Sequence, residues 1–280
     1  MARTRNAVKR QKVATVESAL FNPDVVFLLA ALLDSRDLCK RPNAVDGLSL
    51  VEEAARRLFE CASEWERSCL RKYPDEGWIE LYHHLLMLRS KPTFDQLVGM
   101  NILYGEEKSI IRTIPGLRLS SSALCSNHVM RSGKHFAIFT GRDLFGVVRP
   151  VKVRRSDFGE GELYRFSPSM RNFWEYQLRQ RTARWTDSNV HSCYLSTDGI
   201  YCWDDWAIDR PTMSIDGFQR NTPIGLLLDL DEGSLSVYQN GQRLQTLKDG
   251  LSGEYCWFAT VWECSSISME RGLTPGEHQG

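Results

Sequence analysis

The chain has 280 residues, with 35 basic and 35 acidic side chains and a formal net charge of zero. That balance removes the general electrostatic pull toward nucleic acid or anionic membrane, so neither is an expected partner. The apolar fraction is 42%, ordinary for a globular protein, and the longest apolar run, Val25–Leu33, is too short to span a bilayer. Residues 1–20 read as a basic tail, with Arg3, Arg5, Lys9, Arg10 and Lys12 ahead of the first acid, Glu17. It is either a solvated terminus or an import signal around Lys9–Lys12. No apolar core marks a signal peptide. The eight cysteines, Cys39, Cys61, Cys69, Cys125, Cys193, Cys202, Cys256 and Cys264, are scattered without a CxxC pair. They read as small buried hydrophobes in a reducing compartment. The expected location is cytoplasmic or nuclear.

Residues 21–98 read as helical. Asn22-Pro23-Asp24 supplies an N-cap, a proline at the first helical position and an acid in the first turn. A helix is expected over Asp24–Leu33. The positions Leu48, Val51, Ala55, Leu58, Ala62, Trp65 and Cys69 then form one continuous helical stripe, opened by a capping box at Ser49 and Glu52 and closed by Pro74. A third helix near Glu76–Leu88 carries Trp78, Leu81, Leu85 and Leu88 on one side. Residues 99–119 read as a connector, with Ile110, Ile111 and Leu117 as candidate strand residues.

Residues 120–272 change period. Strands are expected over Phe136–Thr140, Gly146–Val153, Val190–Ser196, Gly199–Trp203, Ile224–Leu230, Ser234–Gln239, Tyr255–Trp262 and Ser266–Glu270, with an ambiguous stretch at Ser169–Arg184. The clearest signal is Ile224–Leu244, where Asp231-Glu232-Gly233 and Asn240-Gly241 punctuate three strands. Asn-Gly accepts the positive φ that a type I′ hairpin turn requires. Such a series predicts an antiparallel β-sandwich. Residues 273–280 read as a tail. The fold class is therefore α+β: a small helical region, then a sandwich.

The chemical motifs are weak. Ser132-Gly133-Lys134 lacks the upstream glycine, the following Ser or Thr and the helix of a phosphate loop. His83-His84 lies mid-helix, one facing solvent and the other packed, and neither has a partner at i+4 to form a zinc pair. His191 and Cys193 share a strand face but no nucleophile elbow accompanies them. Asp204-Asp205 and Asp229, Asp231 and Glu232 read as solvated loop carboxylates. No catalytic residue, metal ligand or cofactor is expected. The aromatics Tyr201, Trp203, Trp206 and Trp262, at or near strand ends, are candidate anchors for a bound peptide, with core packing as the alternative for Trp203 and Trp262.

Several blocks then resemble a known family in order. Val129–Gly141 (VMRSGKHFAIFTG), Phe145–Pro150 (FGVVRP), Cys193–Trp206 (CYLSTDGIYCWDDW), Gly225–Gly241 (GLLLDLDEGSLSVYQNG) and Trp257–Trp262 (WFATVW) are similar to the blocks of a SPRY domain, across roughly residues 120–272. The resemblance implies a concanavalin-like sandwich that binds protein partners through loops at one end and does no chemistry. In the peptide-binding subgroup a "VWG" segment helps build the pocket. Val261 and Trp262 match it, and Glu263 replaces the glycine. Arg149 is expected to flank the same mouth, with Trp203 and Trp206 as further contacts. Asn22–Cys39 (NPDVVFLLAALLDSRDLC) resembles the opening of an F-box. That resemblance implies Pro23, Leu29, Leu33, Asp37 and Leu38 as contacts for a Skp-type adaptor. The sequence departs from the family at Lys40-Arg41-Pro42-Asn43, where Pro42 forbids simple helix continuation. Together these imply an interaction protein that captures a partner segment, as substrate receptor of a Skp–cullin–F-box ubiquitin ligase. The alternatives are a scaffold without a ubiquitin link and a glycan-binding concanavalin-like sandwich.

Overall fold

The computed structural model describes residues 45–115, 119–154, 158, 167, 170–186, 188–205 and 211–274, with side chains from residue 52 onward. The F-box-like segment, Leu117 and Trp206 lie outside these residues. The chain divides into two compact units between Arg89 and Ser90. No helix of the described residues is long and apolar enough to cross a membrane.

The helical unit contains α1 (Val45–Glu60), α2 (Glu64–Cys69) and α3 (Trp78–Arg89). The long stripe expected to form one helix is broken. Ser63 caps α2 instead: its hydroxyl accepts from the Glu66 N–H at 3.2 Å, and its own N–H donates to Glu66 Oε2 at 2.7 Å. This reciprocal pair satisfies two amide donors that a new helix start leaves without partners. The break rotates the stripe, so Trp65, expected inside, is 39% exposed. The capping box expected at Ser49 is not the helix start, because α1 already runs from Val45. Its Glu52 caps a different helix, accepting from the Trp78 N–H at 2.6 Å. Ala55, Phe59, Cys69, Leu81 and Leu85 fill the small core.

The second unit is an antiparallel β-sandwich of two seven-stranded sheets. One sheet orders β1 (Gln96–Val98), β4 (Ser121–Leu124), β13 (Cys256–Val261), β6 (Leu144–Val148), β7 (Ser192–Ser196), β8 (Ile200–Asp204) and β9 (Thr212–Ser214). The other orders β12 (Gln242–Asp249), β11 (Ser234–Gln239), β10 (Ile224–Asp229), β5 (Lys134–Gly141), β14 (Ser266–Arg271), β3 (Ile110–Thr113) and β2 (Ile102–Tyr104). Three of these strands, β1, β2 and β3, fall where the sequence reads as helical end and connector. Strands of three or four residues are too short to show a period of two.

Alternate residues of the facing strands meet in the core. Phe145, Val147, Leu195, Trp257 and Ala259 pack against Phe139, Leu226, Leu228, Val237, Ile267 and Met269. Phe139 stacks on Phe145 with ring centroids 4.6 Å apart, and Trp257 meets Phe139 edge-on at 5.9 Å. The first sheet also buries its outer face. Helix α4 (Arg171–Arg179), the ambiguous stretch of the sequence, lays Phe173 and Tyr176 over Val148, Tyr194, Cys256 and Phe258. Burial on both faces explains why β13 is apolar at every position but Thr260, rather than alternating. The Asn240-Gly241 turn has φ of 52° and 76°, as a type I′ hairpin needs. The Ser132-Gly133-Lys134 stretch, which does not read as a phosphate loop, is filled from within: the Gly133 N–H donates to Asp231 Oδ1 at 3.0 Å, and Lys134 pairs with Asp229 at 3.3 Å.

Candidate functional site

Two chain segments cross from one sheet to the other at the same end of the sandwich. Arg142-Asp143 carries β5 into β6, and residues 262–265 carry β13 into β14. The turn of the β7–β8 hairpin lies at this end too, because β6, β7, β8 and β13 are antiparallel neighbours. Between them opens a cleft of about 540 Å³. Its floor includes Leu144, Ser196 and Thr260, which sit on one outer-face row of the sheet. Its rim carries Trp262, Arg142, Asp143, Asp198, Arg220 and Asn221.

Asp143 organises the rim. Its carboxylate Oδ2 accepts from the Trp262 N–H at 2.6 Å and from the Ser265 hydroxyl. Its carbonyl accepts from the Thr197 N–H at 2.9 Å, and its own N–H donates to the Thr197 hydroxyl at 3.2 Å. One side chain and its backbone thus tie three connections together. The backbone is held at φ 106°, a region that L side chains rarely occupy. Asn221 on the rim and Cys264 in the 262–265 loop also have positive φ, 61° and 55°. Gly141 precedes them at φ 133°, where an added Cβ would lie 2.0 Å from the Ser266 carbonyl oxygen. Burial pushes the Asp143 carboxyl above its ordinary pKa, the Ser265 and Trp262 donors pull it back in part, and the nearby Asp198 charge raises it further. Arg220 Nε lies 3.3 Å from Asp198 Oδ1, so the exposed rim charges are partly matched.

The structure separates the residues expected to share one mouth. Trp262 stands on the rim with 53% of its surface exposed, and Glu263 is exposed beside it in the same loop. Val261 is fully buried, pointing into the core one residue earlier, and cannot touch a partner. Arg149 is corrected twice over. It follows β6 at the end opposite Leu144, and β6 spans about 16 Å for its five residues at about 3.3 Å each. It is also 1% exposed. Its guanidinium donates to the carbonyls of Val190 (3.1 Å), Ser252 (2.8 Å), Glu254 (3.0 Å) and Ser188 (2.9 Å), and it lies 4.0 Å from the Tyr255 ring centroid. Arg149 is an interior clamp that gathers three loops. Trp203 is at that same far end, half-buried against the core with Lys248 Nζ 5.0 Å over its ring. Trp206 is among the residues not described.

The other motifs resolve as structure. The His191 imidazole is buried against Asp204, Nε2 to Oδ2 3.3 Å, so Asp204 is not a solvated loop acid. Burial raises the Cys193 thiol well above its ordinary pKa, the reverse of an activated nucleophile. Sequence reasoning missed Arg142, Asp143, Asp198, Arg220 and Asn221. The usable signal was positional: in antiparallel order, the C-terminal ends of β5, β7 and β13 belong to one end, so the turns that follow them converge.

No family model matches the chain, and no curated protein matches it. Solved structures do. The SPRY domain of human HERC1 is 13% identical with a TM-score of 0.40, covering 64% of this chain and 99% of that one. The TRIM65 PSpry domain is 12% identical with a TM-score of 0.40, covering 65% and 90%. Stonustoxin is 15% identical with a TM-score of 0.39, covering 63% of this chain and 28% of that one. The chain is thus similar to proteins that include two SPRY domains, and its second unit is an antiparallel β-sandwich.

Proposed function

We propose that the sandwich is a protein-binding module that captures an extended segment of a partner in the loop-built cleft, with Trp262 as the anchor. The observation that carries this is the exposure of Trp262, 53%, beside buried Trp185 and Trp257 at 2% each. An indole held over a cleft by a fixed backbone is a strong docking group, because it offers a large apolar surface at little entropic cost. Three non-glycine residues at positive φ lie in or beside the cleft, the kind of strain that folds retain at binding sites. The cleft lining is hydroxyl, amide, carboxylate and guanidinium, suited to hydrogen-bonding a peptide backbone.

The test is selection of peptides from a random display library on the full chain. Trp262→Ala should weaken the selected peptides by about thirty-fold or more while the melting temperature holds. Undiminished binding by the variant overturns the reading. Glycan capture is the second reading, favoured by two carboxylates, Asp143 and Asp198, on the same rim as Trp262. A glycan array separates it from peptide capture. The finer reading, substrate receptor of a Skp–cullin–F-box ligase, is supported by the resemblance of residues 22–39 alone. Co-purification from native lysate tests it. A Skp-type adaptor should accompany the wild type and be lost from a Leu33→Asp, Leu38→Asp double variant. Absence of the adaptor from the wild type leaves the scaffold reading.

A further inference from the structure

The helical unit holds a cluster of metal-ligating side chains that the protein-binding reading does not use. Glu80 and His84 are four residues apart on one face of α3, and Glu76, in the segment before the helix, is brought beside them. One ligand atom from each lies within 4.8 Å of the other two. The cluster is partly enclosed: the Glu76 side chain is 0% exposed and that of His84 13%. The Tyr73 N–H donates to Glu76 Oε2 at 3.2 Å, and Glu76 Oε1 lies 3.9 Å from His84 Nε2.

The 3.9 Å gap to His84 exceeds hydrogen-bond length. Donors of a tetrahedral zinc site with bonds of about 2.0 Å stand roughly 3.3 Å apart, so this pair and the wider cluster, spread over as much as 4.8 Å, must draw in around an ion. Glu80 and His84 are only half-buried, which leaves their side chains room to rotate toward a common ion. Two carboxylates and a neutral imidazole balance a divalent charge. Three protein ligands with one position left for water is an established zinc arrangement, and the imidazole favours zinc over magnesium or calcium. The Lys72 ammonium is the nearby competing cation. It donates to the Glu76 backbone carbonyl and sits 5.2 Å over the Trp78 ring.

We propose that Glu76, Glu80 and His84 bind one zinc ion that clasps the turn at residues 73–77 to helix α3. The site is invisible to a search for histidine pairs, because the i−4 and i−8 partners of His84 are carboxylates.

The test is calorimetric titration of metal-stripped full chain with zinc chloride at neutral pH. Accessible thiols, Cys61 and Cys264 among the described residues, are first alkylated so that they do not compete. One equivalent should bind, and zinc should raise the melting temperature. Glu80→Gln and His84→Gln should each weaken binding by about tenfold or more and abolish the melting shift. His83→Gln, on the same helix and outside the cluster, should leave both unchanged. The melts of the stripped variants show which are folded, and either cluster variant alone decides the case. The proposal is overturned if no stoichiometric zinc binds, if the folded cluster variants bind like wild type, or if His83→Gln loses as much. None of these outcomes bears on the peptide cleft, which is read separately.

Discussion

The two ends of the sandwich use similar residue types to opposite effect. At one end Trp262 and Arg142 face solvent around a cleft. At the other, Arg149 lies between Tyr255 and Trp185 and is sealed by carbonyl acceptors. The difference lies in what the surrounding backbone offers. Around Arg149, two segments, residues 188–190 and 252–254, present buried carbonyls, and a guanidinium with five fixed donors satisfies several at once. At Trp262 the backbone N–H is taken by the Asp143 carboxylate and the Ser265 hydroxyl, so the loop is held and the indole projects. An arginine or tryptophan near a strand end is thus a clamp or an anchor according to which backbone groups need partners there.

This contrast can be broken by substitution. Arg149→Leu should have the largest effect, about 3–5 kcal/mol of stability, because buried carbonyls lose their donors together. Chemical denaturation measures it; a loss under about 1 kcal/mol would mean that water replaces the guanidinium.

Acid should also strike the far end. His135, near the start of β5, is 5% exposed, and burial pushes its pKa down to about 4. Its ring nitrogen Nε2 lies 2.9 Å from the Ser132 carbonyl. The unfolded chain takes up a proton near pH 6.5 and the folded chain does not, so stability is intact above that value. It falls as pH drops from about 6.5 toward about 4, by up to about 3 kcal/mol in all. His135→Gln should flatten that part of the pH–melting curve. Asp143 at the cleft end has the opposite sign. Its folded pKa is raised, so the cost of its charge is present at neutral pH and is relieved as pH falls through that pKa toward the ordinary value. An equally steep acid drop in the His135 variant would assign the effect elsewhere.

Gly141→Ala should cost about 2 kcal/mol, since its Cβ would meet the Ser266 carbonyl oxygen at 2.0 Å with φ at 133°. It should also loosen the cleft, because Gly141 leads directly into Arg142-Asp143. Retained peptide binding in this variant would show that the rim geometry is set elsewhere. The smallest stability effect is expected for Trp262→Ala, under about 0.5 kcal/mol, as its side chain leaves little apolar surface to lose. A larger loss would make Trp262 part of the core.

Much of this fold was legible in the sequence, where local chemistry decides it. The β10–β12 strands were read from Asp231-Glu232-Gly233 and Asn240-Gly241, because turns with positive φ admit few residues. Helix α4 stayed ambiguous, since Phe173 and Tyr176 are spaced as a helix face but occur within a single short segment. Strands β1 and β2 were lost to their length, whereas Ile110 and Ile111, read as candidate strand residues, do form β3. The candidate site was half legible. Trp262 sits on a cleft rim, but Val261 and Arg149 were assigned to the same mouth. Val261 shares the inward face of β13 with Trp257 and Ala259, and burial of both faces hides that face in the sequence. Placing Arg149 required knowing that β6 leaves the cleft end and carries it to the other.

The claim that binding belongs to the cleft end is tested most directly by amide hydrogen exchange on the full chain, with and without a display-selected peptide. Protection should appear at residues 142–144, 197–199 and 262–265, and residues 149–151, 188–190 and 252–254 around Arg149 should exchange unchanged. Protection confined to the Arg149 end, with the Trp262 loop unaffected, would contradict the account.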